Sequence, residues 1–372
     1  MSNTQKKNVP ELRFPEFEGE WEEKQLGNII KVNSGKDYKH LDKGDIPVYG
    51  TGGYMTSVSE PLSEIDAVGI GRKGTINKSY LLEAPFWTVD TLFYCTPKKE
   101  TDILFILSLF RKINWKVYDE STGVPSLSKQ TINKINRFVP TNKEQQKIGK
   151  FFSKLDRQIE LEEQKLELLQ QQKKGYMQKI FSQELRFKDE NGNDYPDWTN
   201  ERLGEVTTVT MGQSPKSVNY TDNSNDTVLI QGNADIENGL INPRIYTREV
   251  TKLIQKDEII LTVRAPVGKL AMAQINACIG RGVCSIKGDK FLYYFLEWFA
   301  TQNKWIRFSQ GSTFESISGN DIRNIHIKIP VEDERTKIIK LLNSLDVLNS
   351  KTDLKIQNLK QRKQSLLQKI FV

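Results

Sequence analysis

The sequence predicts an α+β chain in which two globular β-rich domains, related by a pseudo-two-fold axis, are joined by two long antiparallel coiled-coil helices. Three observations carry this. The chain has 372 residues, more than one hydrophobic core usually organises. It repeats itself at an offset of 190 residues, and each copy ends in a long polar stretch with a heptad stripe of apolar residues.

The repeat is plainest late in each copy. Pro140, Glu144, Lys147, Ile148, Lys150, Leu155 and Asp156 return as Pro330, Glu334, Lys337, Ile338, Lys340, Leu345 and Asp346. The match runs on to Gln178–Phe181 (QKIF), which returns as QKIF at residues 368–371. Upstream, Phe105 and Trp115 answer Phe295 and Trp305, and FYCT at residues 93–96 faces GVCS at 282–285, which pairs Cys95 with Cys284. At the starts, Leu12, Arg13, Phe14, Trp21, Leu26 and Gly27 answer Leu185, Arg186, Phe187, Trp198, Leu203 and Gly204. The central stretches are rich in Gly, Asn, Ser, Thr and β-branched residues, as short strands and turns require, and hardly resemble each other. The chain divides accordingly into a first globular domain with its leading segment at 1–140, a central helix at 141–184, a second globular domain at 185–329 and a C-terminal helix at 330–372.

Each long element starts beside a proline, at Pro140 or Pro330, and contains none inside. In the first helix Ile148, Phe152, Leu155, Ile159, Leu166 and Leu169 alternate at spacings of three and four. In the second, Ile338, Leu342, Leu345, Ile356, Leu359 and Leu366 do the same. Polar residues interrupt both stripes at matched places, Glu162 with Thr352 and Lys173 with Lys363, and could set register. So narrow a stripe on a polar helix needs a partner, and the other copy is the nearest candidate. Antiparallel pairing would place the globular domains at opposite ends of a rod of roughly 57 Å. B-DNA turns once in about 34 to 36 Å, so such a rod could hold two reading heads one to one and a half turns apart. The same symmetry expects residues 10–27 to pack near 360–372.

Catalytic chemistry is not legible. Gly69, Gly71 and Gly74 fit G-x-G-x-x-G, but the residues after them lack helical periodicity, so a strand-to-strand turn is expected and no nucleotide site. His40 and His326 are the only histidines, too few for a zinc cluster or much general-base work. The three cysteines, Cys95, Cys278 and Cys284, suit reduced core thiols. No cofactor is expected in this chain. No run of eighteen apolar residues exists and residues 1–10 lack an apolar signal-peptide core, so a cytoplasmic location is expected.

A net charge of +7, from 54 Lys and Arg against 47 Asp and Glu, mildly favours a polyanionic partner. The candidate DNA-binding residues lie in Gly-rich loops of the dissimilar middles. In the first they are Lys36, Tyr38, Arg72, Lys73, Thr75, Asn77, Lys78 and Thr122. In the second they are Gln213, Lys216, Gln231, Asn233, Arg264, Lys269, Arg281, Ser312 and Thr313. Arg can pair bidentately with guanine and Asn or Gln with adenine, while Lys, Ser and Thr can fix phosphates.

The whole arrangement resembles the specificity (S) subunit of type I restriction-modification systems, and the likeness covers essentially the entire chain. It rests on PTNKEQQKI from Pro140, its counterpart PVEDERTKI from Pro330, the closing QKIF segments, and the opening LRFPEF with Trp21, Leu26 and Gly27. The second copy departs from the first by Glu334-Arg335-Thr336-Lys337 where the first has Glu144-Gln145-Gln146-Lys147. The resemblance implies a non-catalytic subunit with two target recognition domains, each reading half of a bipartite double-stranded DNA site, and helices that fix the spacer. It implies two methyltransferase (modification) subunits that use S-adenosylmethionine, and restriction subunits that use ATP and Mg. A coiled-coil scaffold with protein- or carbohydrate-binding heads, or a stand-alone DNA-binding regulator, are the alternatives. The scaffold would lack a salt-sensitive association with duplex, and the regulator would bind without helpers.

Overall fold

The structure is a computed structural model that describes residues 8–305 and 316–372. The chain is α+β and forms two compact units. The first combines Met1–Gln164 with Asp353–Val372, and the second is Lys165–Thr352. The described α-helices are α1 (Leu26–Ile29), α2 (Ile103–Lys112), α3 (Lys129–Lys134), α4 (Asn142–Phe181), α5 (Leu203–Val206), α6 (Lys290–Thr301), α7 (Gly319–Arg323) and α8 (Glu332–Ile370). No helix among the described residues is long and apolar enough to cross a membrane.

In the first unit an antiparallel four-stranded sheet runs in the order Ile30–Ser34, Leu92–Pro97, Ala67–Gly71, Tyr80–Leu82. Ala67–Gly71 is buried at every position and has neighbours on both sides, which its unbroken apolar sequence fits. A second sheet orders Gly53–Val58, Ile46–Gly50 and Trp87–Thr88. Helix α2 is buried continuously from Phe105 to Phe110, and Asp102 caps it by accepting from the Phe105 N–H.

The second unit holds a six-stranded and a five-stranded sheet. Here Ile259–Thr262 is buried at every position, between Leu270–Met272 and Val283–Ile286. Asp289 caps α6 as Asp102 caps α2.

The long helices pair antiparallel. In the first unit Asp156 meets Lys363, Glu162 meets Lys355, and Glu163 meets Lys360 at 2.7 Å, so positions on α8 fall as those on α4 rise. In the second unit Lys173 meets Asp346 at 2.7 Å, and Met177 and Ile180 share a core with Ile338 and Leu342. Ile148, Phe152, Ile159, Ile338, Leu342, Leu345 and Ile356 are buried, while Leu155, Leu166, Leu169, Leu359 and Leu366 are half-buried. Ile148 and Phe152 belong to the first unit's core, together with Ile370 and Phe371. The seam lysines do more than interrupt a stripe: Lys173 also donates to Glu297 on α6 at 2.7 Å, tying that helix to both long ones.

A duplicated clamp anchors each leading segment. Arg13 donates bidentately to Glu144, with both bonds at 2.8 Å, and the Trp21 indole donates to the same carboxylate at 3.3 Å. In the second unit Arg186 donates to Glu334 at 2.7 and 2.8 Å, with the Trp198 indole at 2.9 Å. Glu144 is 1% exposed and Glu334 0%. A buried carboxylate is costly unless it is paired and hydrogen-bonded, and the forked guanidinium supplies both. The matched residues of the repeat are therefore the residues in contact.

Residues 10–27 do pack beside the end of α8. The Leu12 N–H donates to the Lys369 carbonyl at 2.9 Å, as the Leu185 N–H donates to the Lys179 carbonyl at 3.0 Å. Lys369 pairs with Glu11 at 2.8 Å, and Phe371 meets Trp21 edge-on.

One sequence pairing is corrected. The Gly35 N–H donates to the Leu92 carbonyl and the Gly212 N–H to that of Val283. Gly71 pairs with Leu92 where Thr262 pairs with Val283. Cys284 therefore occupies the place of Phe93, and Ile286 that of Cys95. The sequence match slips by two residues, which leaves inward residues inward because strand side chains alternate with period two. All three thiols are buried, and burial pushes the Cys284 thiol up to about 12.

Candidate nucleic-acid interface

The dissimilar middles share one hydrogen-bonded frame. The N–H groups of Arg72 and Val263 donate to the carbonyls of Thr91 and Gly282, and those of Leu127 and Ile317 to the carbonyls of Arg72 and Val263. Lys73 bridges Ser126 where Arg264 bridges Ser316. The loops at 72–79 and 263–270 thus have equal length and leave equivalent strands. Lys73 answers Arg264 and Lys78 answers Lys269, at an offset of 191, one more than that of the helices.

In the first unit four loops meet at one edge. The Lys36 N–H donates to the Thr88 carbonyl at 2.8 Å, the Trp87 indole donates to the Lys36 carbonyl at 2.9 Å, and the Gly74 N–H donates to the Pro125 carbonyl at 2.8 Å. Gly74 has φ +84°, a conformation that suits glycine. Asp119 accepts from the Ser126 and Ser121 N–H groups and the Ser121 hydroxyl; these bonds hold its carboxyl below the usual range and fix the loop that carries Thr122. Lys36, Lys73, Thr75 and Thr122 are exposed. Arg72 is half-buried, donates to the Asp90 carbonyl at 3.4 Å and lies 5.9 Å from the Phe93 ring centre. Asn77 and Lys78 line a separate cleft of about 800 Å³ with Arg111 of α2, Asp156 and Glu160 of α4, and Lys360 and Lys363 of α8. Tyr38 packs against the apolar cluster of Val48, Val58 and Trp87, so its ring is spent largely on the core.

In the second unit the structure gathers Gln231, Asn233, Arg264 and Arg281 around one cleft of about 300 Å³, lined also by Ser214 and Gly282. Asp235 holds the backbone of two lining residues by accepting from the Gln231 and Gly232 N–H groups at 2.8 and 3.2 Å. Lys269 donates to the Asn233 and Ile236 carbonyls at 3.1 and 2.6 Å, so its ammonium braces the cleft wall. The Arg281 N–H donates to the Ser214 hydroxyl at 3.1 Å. Gln213 is exposed, and its carbonyl accepts from the Thr251 hydroxyl. Lys216 is exposed, with its N–H donating to Glu249 at 3.2 Å. Ser312 and Thr313 lie outside the described residues.

Backbone packs on backbone beneath this cleft. A Cβ at Gly282 would stand 1.9 Å from the Gln231 carbonyl oxygen, whereas one at Gly123 would meet nothing within 4 Å. Gly282→Ala is therefore expected to cost about 1–3 kcal/mol in urea unfolding, and Gly123→Ala less than about 0.5 kcal/mol. Equal costs would refute the packing argument.

Sequence reasoning named most of the cleft but missed the one-to-one match of the loops. The signal was present in the equal loop lengths and the shared cation. Among the described residues no group of three or more His, Cys, Asp or Glu could hold a metal ion.

A duplicated clamp, paired long helices and two edges built on one frame define a class of protein with two copies of one unit, and comparison with known proteins agrees. The type I restriction modification DNA specificity domain matches residues 18–171 and again 195–361. The chain belongs to that family. It is 30% identical over 66% of its length to the putative type I restriction enzyme MjaX specificity subunit of Methanocaldococcus jannaschii, and this match spans 61% of that protein. It is 25% identical over 77% of its length to the MjaVIII specificity subunit of the same organism, spanning 71% of it. The crystal structure of the type I S subunit from M. genitalium superposes with a TM-score of 0.68 at 16% identity, covering 98% of this chain and 99% of that one. A chain from a study of assembly and conformational transition in the type I R-M system superposes at 0.59 with 19% identity, covering 94% and 97%. At these identities the superpositions establish the fold.

Proposed function

We propose that this chain is the sequence-reading, non-catalytic subunit of a cytoplasmic type I restriction-modification complex. Each β-rich head reads one half of a bipartite duplex site. The long helices set the spacer, and the chain recruits two modification subunits that use S-adenosylmethionine together with restriction subunits that use ATP and Mg. One observation carries the reading: two edges share a backbone frame yet differ in side chains, as two readers of unlike half-sites require. Positioning by a common frame and discrimination by variable groups are separate tasks in nucleic-acid recognition.

The test is to map methylated adenines in cells that express the modification subunits with and without this chain. A bipartite motif present only with the chain supports the reading, and an unchanged methylome overturns it. Association with duplex is expected to fall steeply with salt, because bound cations release counterions. For the spacer, deleting one heptad from each of α4 and α8 keeps register and is expected to shorten the gap by roughly 10 Å, about three base pairs. A folded variant that methylates the original gap contradicts the ruler.

A further inference from the structure

The two edges differ in charge at two of three matched places. Counting from the shared hydrogen bonds, Arg264 answers Lys73, Arg281 answers Asp90, and Ser214 answers Asp37. Asp37 and Asp90 are exposed, as are Arg264 and Arg281. Carboxylates facing a phosphate backbone would repel it, so the frame positions of Asp37 and Asp90 suit base edges better than phosphates.

The second unit's cleft is rich in donors. Among the described residues no carboxylate lines it, and neither the Arg264 nor the Arg281 guanidinium has a hydrogen-bond or ion-pair partner there. The Gln231 side-chain nitrogen is buried there, also without a partner among the described residues. Such a set calls for a ligand that presents acceptors. In the major groove guanine offers two, O6 and N7, at the spacing of a guanidinium fork; adenine and cytosine each present an amino donor, and thymine a single acceptor.

Resting on the function proposed above, we infer that the half-site read by the second unit contains guanine and that Arg264 and Arg281, which line one cleft with Gln231, read it. The first unit, with Lys73 and Asp90 in the corresponding places, reads a different half-site at the position of Asp90. A carboxylate there accepts from the amino group of cytosine.

The test uses the full chain with its modification subunits and duplexes that carry the methylated motif. Replacing one guanine of one half by 7-deazaguanine removes N7 alone. It is expected to weaken binding roughly tenfold to a hundredfold at the contacted position. Arg264→Ala or Arg281→Ala is expected to lose as much on the natural duplex and to become indifferent to that replacement. Arg264→Lys keeps the charge without the fork; it should retain salt-dependent binding and lose the preference for guanine. The methylome of the alanine variants should relax at one position of one half-site. Guanine absent from both halves, or equal weakening on every duplex with the motif intact, overturns the inference and leaves the proposed function standing. A wild-type complex that ignores duplex altogether overturns both.

Discussion

Replacing Arg186 with Met should destabilise the second unit by about 3–5 kcal/mol, the usual cost of stripping a buried charge of its partner. Glu334 is fully buried and takes both prongs of the Arg186 fork, the Trp198 indole and the Phe187 N–H. Without the guanidinium, that carboxylate keeps two weaker donors and no counter-charge. Arg13→Met does the same to Glu144 in the first unit. Since the clamps share no partner, the two costs should add within about 0.5 kcal/mol. Urea unfolding followed by tryptophan fluorescence measures both, because each clamp contains an indole. A loss under about 1 kcal/mol for either single variant would show the clamp to be ornamental.

Phe371→Ala carries a comparable penalty, about 3–5 kcal/mol, confined to the first unit. The ring is 4% exposed and lies 5.5 Å from Phe105, 6.1 Å from Phe152 and 6.3 Å from Trp21. Its counterpart in the repeat, Phe181, sits against Phe291, Phe295 and Trp298 in the other core. Hydrogen exchange separates the two. Phe371→Ala should deprotect the sheet containing Ala67–Gly71 and spare that containing Ile259–Thr262, whereas Phe181→Ala should reverse the pattern. Uniform deprotection by either variant would contradict two separate cores.

The long helices were legible because their signals are local. Proline marks the start, and α4 and α8 begin two residues beyond Pro140 and Pro330. A stripe too narrow to stand alone announced the pairing. Long-range contact was legible only through the repeat: Arg13 and Glu144 appear as matched residues, but nothing in a separation of 131 positions says that they touch. The sheets were least legible, and the slip at Cys95 shows why. Backbone bonds hold the ladder whatever the side chains, so two middles can share a frame with little sequence in common. The cleft stood between these cases. Its arginines announced themselves as loop cations, whereas the use of Lys269 as a brace depends on carbonyls more than thirty residues away.

The division of the chain into units has a consequence for its synthesis. Residues 165–352 leave the ribosome as one uninterrupted run and hold everything the second unit contains, but the first unit, although started earlier, also needs residues 353–372. At about 5–20 residues per second, those residues follow some 1–4 s later. Until then Trp21, Phe105 and Phe152 lack their aromatic neighbour Phe371. The portion translated first is therefore completed last.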